Sequence, residues 1–198
     1  EAAGIGCACS GASVAATRLS DPFVHRARTG LPWVIAKWAQ TVDGKIATRT
    51  GESQWITSDA ARAHVHAMRA RADAILVGGG TLRKDAPRLD VRLPGLEARS
   101  PQRWVLTSQE APGARTIAAP AEIARIPAQY LYVEGGAHTA ASFLEADLVD
   151  RLDIYRAPIL IGGGRPALQD FGLGELAQAH GRWQPVERRN LGPDTFEA

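Results

Sequence analysis

Apolar residues along the chain fall into short runs punctuated by glycine, proline and charge, a rhythm that predicts strands with helices between them. The first run is Trp33, Val34 and Ile35, bulky and β-favouring, behind Pro32, which cannot join a central ladder. Lys37 interrupts the run before Trp38 and Ala39. Asp43-Gly44 then reads as a turn, and residues 51–55 as a polar loop that carries an aromatic side chain. Ser58 or Asp59 is suited to cap a helix over residues 59–72, where Val65 and Met68 stand at a core-facing spacing.

The same reading makes 74–77 a buried strand ending in Gly78-Gly79-Gly80-Thr81, followed by a loop containing Asp85. Strands follow at 103–106 and 130–134, the second ending at Gly135-Gly136, and 138–148 is an amphipathic helix with Phe143, Leu144 and Leu148 on one side. Residues 152–158 and 159–161 are strand material closed by Gly162 to Gly164, and 183–189 with the final Asp194-Thr195-Phe196-Glu197 suggests antiparallel strands. Residues 110–129, rich in alanine and proline, read as loop with a short strand. The pattern is that of an α/β fold with a mixed, mostly parallel sheet flanked by helices. Residues 1–30 read differently: a helix end running into a short strand, then a short helix and a basic linker, with too little apolar surface to fold alone.

Composition narrows the possibilities. The 198 residues are 45% apolar and 22% charged, as in an ordinary globular domain with a core that needs no staples. With 23 basic against 21 acidic residues the net charge is +2, too small to act as a field for nucleic acid or a membrane surface. Cys7 and Cys9 stand too close for an easy disulfide and have no partners at zinc spacing, which fits a reduced, cytoplasmic protein. No apolar run reaches the length of a membrane span, and no secretory signal pattern opens the chain.

Candidate chemistry gathers at the two strand–glycine–helix junctions, at Gly78 to Thr81 and at Gly135 to Thr139. Glycines there admit a close backbone approach, and free N–H groups at a helix start favour an anion. Neither junction is a G-x-G-x-x-G fingerprint or a phosphate loop, so a nucleotide would need a fold other than the doubly wound one. Glu134, at the end of a buried strand, should carry a raised pKa unless it is paired, and Lys37 is its candidate partner. Asp85, and Arg69, Arg88 and Arg92 as a phosphate clamp, are weaker candidates, because single carboxylates usually cap and scattered arginines usually face water. His25, His64, His66, His138 and His180 show no metal spacing.

Six segments then occur in order: A-K-W-A-Q-T-V-D-G-K-I-A, G-E-S-Q-W-I-T, R-A-R-A-D-A-I-L-V-G-G-G-T, K-D-A-P-R-L-D-V-R, Y-V-E-G-G and A-P-I-L-I-G-G. Together they resemble the reductase domain of the bifunctional riboflavin-biosynthesis deaminase–reductases, with residues 1–30 as linker and stub of a deaminase-like domain and 31–198 as the reductase. The deaminase zinc signature, H-x-E with P-C-x-x-C, does not occur in these residues. The resemblance implies a dihydrofolate-reductase-like fold, a homodimer, NADPH as cofactor, and reduction of the ribosyl group of 5-amino-6-(5-phosphoribosylamino)uracil to ribityl. It implies Lys37, Glu134 and Asp85 at the reacting centre. Ala39 and Trp55 would lie on the nicotinamide side, Thr81 and Asp85 against the cofactor, and Ser108 near the adenosine 2′-phosphate. Gly136, Ala137, His138, Thr139, Ala140, Ala141 and Ser142 would cradle the pyrophosphate, and Ser53, Arg69, Leu89, Arg92 and Glu134 would face the phosphorylated pyrimidine. The rivals are a reductase of the same fold acting on a diaminopyrimidine or pterin-like compound, and a non-catalytic nucleotide-binding or dimerisation module. Relative to the family, the segment between Ser108 and Tyr130 is short.

Overall fold

The computed structural model describes residues 14–198, so the expectations for residues 1–13, including the Cys7 and Cys9 pair, lie outside the described residues. In chain order the elements are α1 (Val14–Thr29), β1 (Trp33–Thr41), β2 (Lys45–Ala47), α2 (Asp59–Arg69), β3 (Ala74–Gly78), α3 (Gly79–Asp85), β4 (Gln102–Leu106), β5 (Arg115–Ile117), β6 (Tyr130–Val133), α4 (Ala137–Glu145), β7 (Arg151–Ala157), β8 (Arg165–Pro166), β9 (Arg188–Leu191) and β10 (Asp194–Glu197). One eight-stranded sheet runs β5-β4-β3-β6-β1-β7-β10-β9, and β2 pairs with β8 beside it. The strands from β5 to β7 are parallel, whereas β10 and β9 add antiparallel.

Two apolar layers sandwich the sheet. On one side Val34, Leu76, Leu131 and Val133 pack with Trp104 and with Phe143 of α4. On the other, Ile35, Ile75, Val77 and Tyr132 pack with Met68 of α2 and with Leu89. The closing hairpin buries Phe196 completely against Tyr155, Ala61 and Val65. Its link to α2 is polar: the Ser58 backbone N–H and hydroxyl both donate to the buried Asp194 carboxylate, at 2.7 and 2.6 Å. Ser58 also accepts from the Ala61 N–H, which makes it the cap of α2.

Several elements differ from the pattern-based expectations, each for a local reason. Strand β1 does not stop before Lys37; ladders from β6 and β7 carry it to Thr41. The expected short helix and basic linker are one helix, α1, and its Arg26 donates to the carbonyls of Ile126 and Ala128 on the body. Helix α2 ends at Arg69 because the Asp73 carboxylate, accepting from the N–H groups of Gln129 and Tyr130, draws the chain into β3. Asp85 ends a short helix, α3, that Gly79 and Gly80 begin, and is not in a loop. Helix α4 starts at Ala137 and ends at Glu145, shortly before Asp147 turns the chain with φ at +53°. Residues 159–161 form no strand: Ile161 and Gly162 donate to Asp43, pinning this loop to the Asp43-Gly44 turn.

Candidate active site

Strand β1 carries Lys37 and strand β6 delivers Glu134, whose N–H donates to the Leu76 carbonyl of β3 at 2.9 Å. The Lys37 ammonium lies 3.6 Å from Glu134 Oε2, and both side chains are largely buried. From α2, Arg69 grips both Glu134 oxygens, Nε at 2.6 Å and Nη2 at 2.9 Å, and its Nη1 donates to the Asp90 carbonyl at 3.0 Å. Burial by itself would raise the Glu134 pKa, but the ammonium and the guanidinium outweigh it and hold the carboxyl at about 2 instead of 4.5. Glu134 is therefore an ionised, clamped carboxylate at neutral pH. Lys37 makes no hydrogen bond among the described residues, because at 3.6 Å its contact with Glu134 is one of charge. Its N–H donors remain available.

The three arginines meet at Asp90. Arg69 is engaged by Glu134, while Arg88 and Arg92 both pair with Asp90, at 2.6 and 2.7 Å. Leu89 between them has φ at +57°, a region costing a branched residue about 1–2 kcal/mol. Its burial to 3% exposure against Met68 and Val77 holds it there.

The glycine junctions meet each other. A Cβ at Gly78 would stand 2.3 Å from Thr139 Oγ1, and one at Gly135 would stand 2.3 Å from Thr139 Cβ. These two glycines thus make room for the buried Thr139 of α4, which locks the ends of β3 and β6 together. Gly80 and Gly136 are the open positions: a Cβ at Gly80 meets nothing within 4 Å, and one at Gly136 meets only Thr81 Oγ1 at 3.7 Å. Gly136 caps α4 with no side-chain bond to the helix start, so the N–H groups of Ala137, His138 and Thr139 have no intrahelical or capping partner. The Ala140 N–H is spent on Gly136, and Ala141 is buried with it inside the helix.

The other residues singled out in the sequence border this centre at different depths. Ala39 is half-buried on β1, two positions beyond Lys37, and Ser53 is half-buried in the 51–57 loop, which Lys84 of α3 holds through the Gly51 carbonyl at 2.9 Å. Trp55 is 64% exposed with the Arg62 guanidinium stacked on it, and Asp85 and Ser108 are exposed at the ends of α3 and β4. A cavity of about 940 Å³ lies elsewhere: it opens at the N-terminal ends of β1 and β6 over Trp33, Tyr130 and Met68 and includes none of Lys37, Arg69 or Glu134.

Sequence reasoning missed Thr139 as the lock, Asp90 as the partner of two arginines, and the buried pair Asp153 and Tyr155 on β7. The alternation L-D-I-Y-R-A hinted that Asp153 and Tyr155 share a face. Only the register, with Asp153 beside Lys37 and Tyr155 beside Ala39, shows that it is the face of the ion cluster.

Known proteins share this framework. The Riboflavin biosynthesis protein RibD of Mycobacterium tuberculosis is 40% identical over 188 residues, covering 87% of this chain and 55% of its own length. The chain thus spans about half the length of that curated relative. A Thermotoga maritima diaminohydroxyphosphoribosylaminopyrimidine deaminase/5-amino-6-(5-phosphoribosylamino)uracil reductase superposes with a TM-score of 0.76 at 24% identity, covering 92% of this chain and 60% of that one. Dihydrofolate reductase from Enterococcus faecalis, solved with NADP(H), superposes with a TM-score of 0.57 at 17% identity, covering 83% of this chain and 94% of that one, so the fold is dihydrofolate-reductase-like. The family described as RibD C-terminal domain matches residues 32–125 and 121–196, nearly the whole body around the Lys37–Glu134–Arg69 cluster, and the chain belongs to that family.

Proposed function

We propose that the chain reduces the ribosyl group of 5-amino-6-(5-phosphoribosylamino)uracil to ribityl with NADPH, in the cytoplasm and as a homodimer, with residues 31–198 as the reductase body and 1–30 as linker. The observation that carries this reading is the ammonium of Lys37 in mid-β1 beside a carboxylate locked in its ionised form at the end of β6, next to a helix start without a side-chain cap. The cofactor residues fit such a ligand. Gly80 and Gly136 leave space that a Cβ would fill, and the N–H groups of Ala137, His138 and Thr139, unpartnered among the described residues, suit a pyrophosphate. Thr81, Asp85 and Ser108 would border the cofactor, with Ala39 and Trp55 on the nicotinamide side and Ser142 at the rear of the cradle. Bound NADPH would supply the hydride that reduces C1′ of the ring-opened sugar imine.

The chain's own part is positioning and proton supply. Glu134, ionised near neutral pH, cannot give a proton; it orients Lys37 and accepts from the substrate. Lys37, with unspent donors, holds the proton for the imine nitrogen, and Asp85 stands third. Ser53, Leu89 and Arg92 would face the pyrimidine and its phosphate, with Arg69 shared between substrate and Glu134. Exposed Leu19, Trp183 and Val186 around the apolar cavity support a homodimer. A steady-state assay with both nicotinamides on the ribosylamino-uracil phosphate tests the reading. Turnover with NADPH is expected; cofactor binding without oxidation would make the chain a binding module. Oxidation only with a diaminopyrimidine or pterin-like compound would move it to a related reductase.

A further inference from the structure

Resting on that reductase reading, we propose that Tyr155 is a positioning residue whose buried ring is the seat of the Lys37 ammonium. The ammonium lies 5.5 Å from the centre of the Tyr155 ring. Its other charge partner, Glu134, is at 3.6 Å, too far for a hydrogen bond. A lysine that must present its protons to a ligand needs a restraint that does not consume them. A ring face and a carboxylate just beyond bonding distance provide that restraint.

The ring is itself immobilised. Tyr155 has no exposed surface, and Phe196 packs against it with ring centres 5.1 Å apart. Its hydroxyl is paired with His64 Nδ1 of α2 at 2.8 Å, and His64 Nε2 meets the Arg189 guanidinium of β9 at 2.7 Å. In the β1–β7 register Tyr155 stands beside Ala39 and Asp153 beside Lys37, so the ring reaches the lysine diagonally across one sheet face. Three elements thus fix the ring, and the ring fixes the lysine.

The chain has three lysines, Lys37, Lys45 and Lys84, so isotope-labelled lysine yields an NMR spectrum simple enough to assign. In the cofactor-free protein the Lys37 ε-methylene protons should be shifted upfield by the ring, unlike those of Lys45 and Lys84. The shift should persist in Tyr155→Phe and vanish in Tyr155→Leu. In turnover, Tyr155→Leu should lose about tenfold or more in kcat with KM unchanged, and Tyr155→Phe less than about threefold. Absence of the upfield shift in the unaltered protein overturns the proposal without any variant. So does a leucine variant that keeps kcat, or a phenylalanine variant that falls as far as the leucine one. Should Tyr155→Leu fail to fold, Tyr155→Met answers the same question. If the unaltered protein shows the shift but oxidises no NADPH, the seat stands and the reductase reading falls.

Discussion

Two buried carboxylates on one face of the sheet meet opposite fates. Glu134, at the end of β6, is gripped on both oxygens by Arg69 and faced by the Lys37 ammonium. Asp153, in the middle of β7 with no exposed surface, has Arg151 on one oxygen at 2.7 Å and no partner on the other among the described residues. Burial pushes both toward the neutral acid. For Glu134 two cations win and the pKa falls to about 2; for Asp153 burial prevails over Arg151, with Glu187 adding to it, and the pKa rises. Depth alone therefore says little about a carboxylate's state. The number and grip of the cations around it decide.

The sharpest way to break the contrast is to remove the cation with free donors. Lys37→Ala should lower kcat by about 10²–10³-fold while circular dichroism and NADPH affinity stay intact, as for loss of a general acid. Normal turnover would take Lys37 out of the mechanism. Arg69→Met strips Glu134 of its bidentate partner. We expect the carboxyl pKa to move up from about 2 and urea unfolding at neutral pH to report a loss of about 3 kcal/mol. Unchanged stability would mean that water replaces the arginine at no penalty.

Acid titration sharpens the same comparison through its sign. A carboxylate held below its unfolded value contributes stability that is complete above about 4.5 and disappears as the pH falls toward about 2. At 1.36 kcal/mol per pH unit that contribution is about 3 kcal/mol, and Glu134→Gln should abolish this part of the acid dependence of the unfolding free energy. Asp153 has the opposite sign: raised in the fold, it weakens the protein at neutral pH, and the penalty lifts as the pH falls below its folded value. Asp153→Asn should therefore raise neutral-pH stability slightly, by about 1 kcal/mol or less in a thermal melt, because Arg151 retains Glu187 at 3.9 Å. A clear loss of stability instead would show that the Arg151 bond matters more than burial.

Much of the frame was legible beforehand. The apolar runs at β1, β3, β4, β6 and β7 are short, bounded by glycine or proline and rich in β-branched or aromatic residues, so their existence and order followed from pattern. Ser58 announced the start of α2 by its side chain. Where elements end was less legible, since Asp73 and Asp43 set those boundaries through hydrogen bonds to residues far along the chain. At the candidate site Lys37 and Glu134 were paired in advance from their motifs, and the structure places them together.

The roles of the glycines and of Arg69 were not readable in the same way. A glycine in sequence carries no indication of whether it admits a ligand or a neighbouring threonine, and only the packing of Thr139 showed that Gly78 and Gly135 do the latter. Likewise, an arginine's partner depends on which carboxylate the fold brings near. The amino-acid order determined an α/β sheet, its glycine-ended strands and the presence of a lysine and a glutamate, because those depend on local sterics and periodicity. Tertiary structure decided that Glu134 stays charged, that burial pushes the Asp153 carboxyl up, and that an aromatic ring lies against Lys37. Those outcomes depend on strand register and on the distances between charges across the sheet, which no local segment contains.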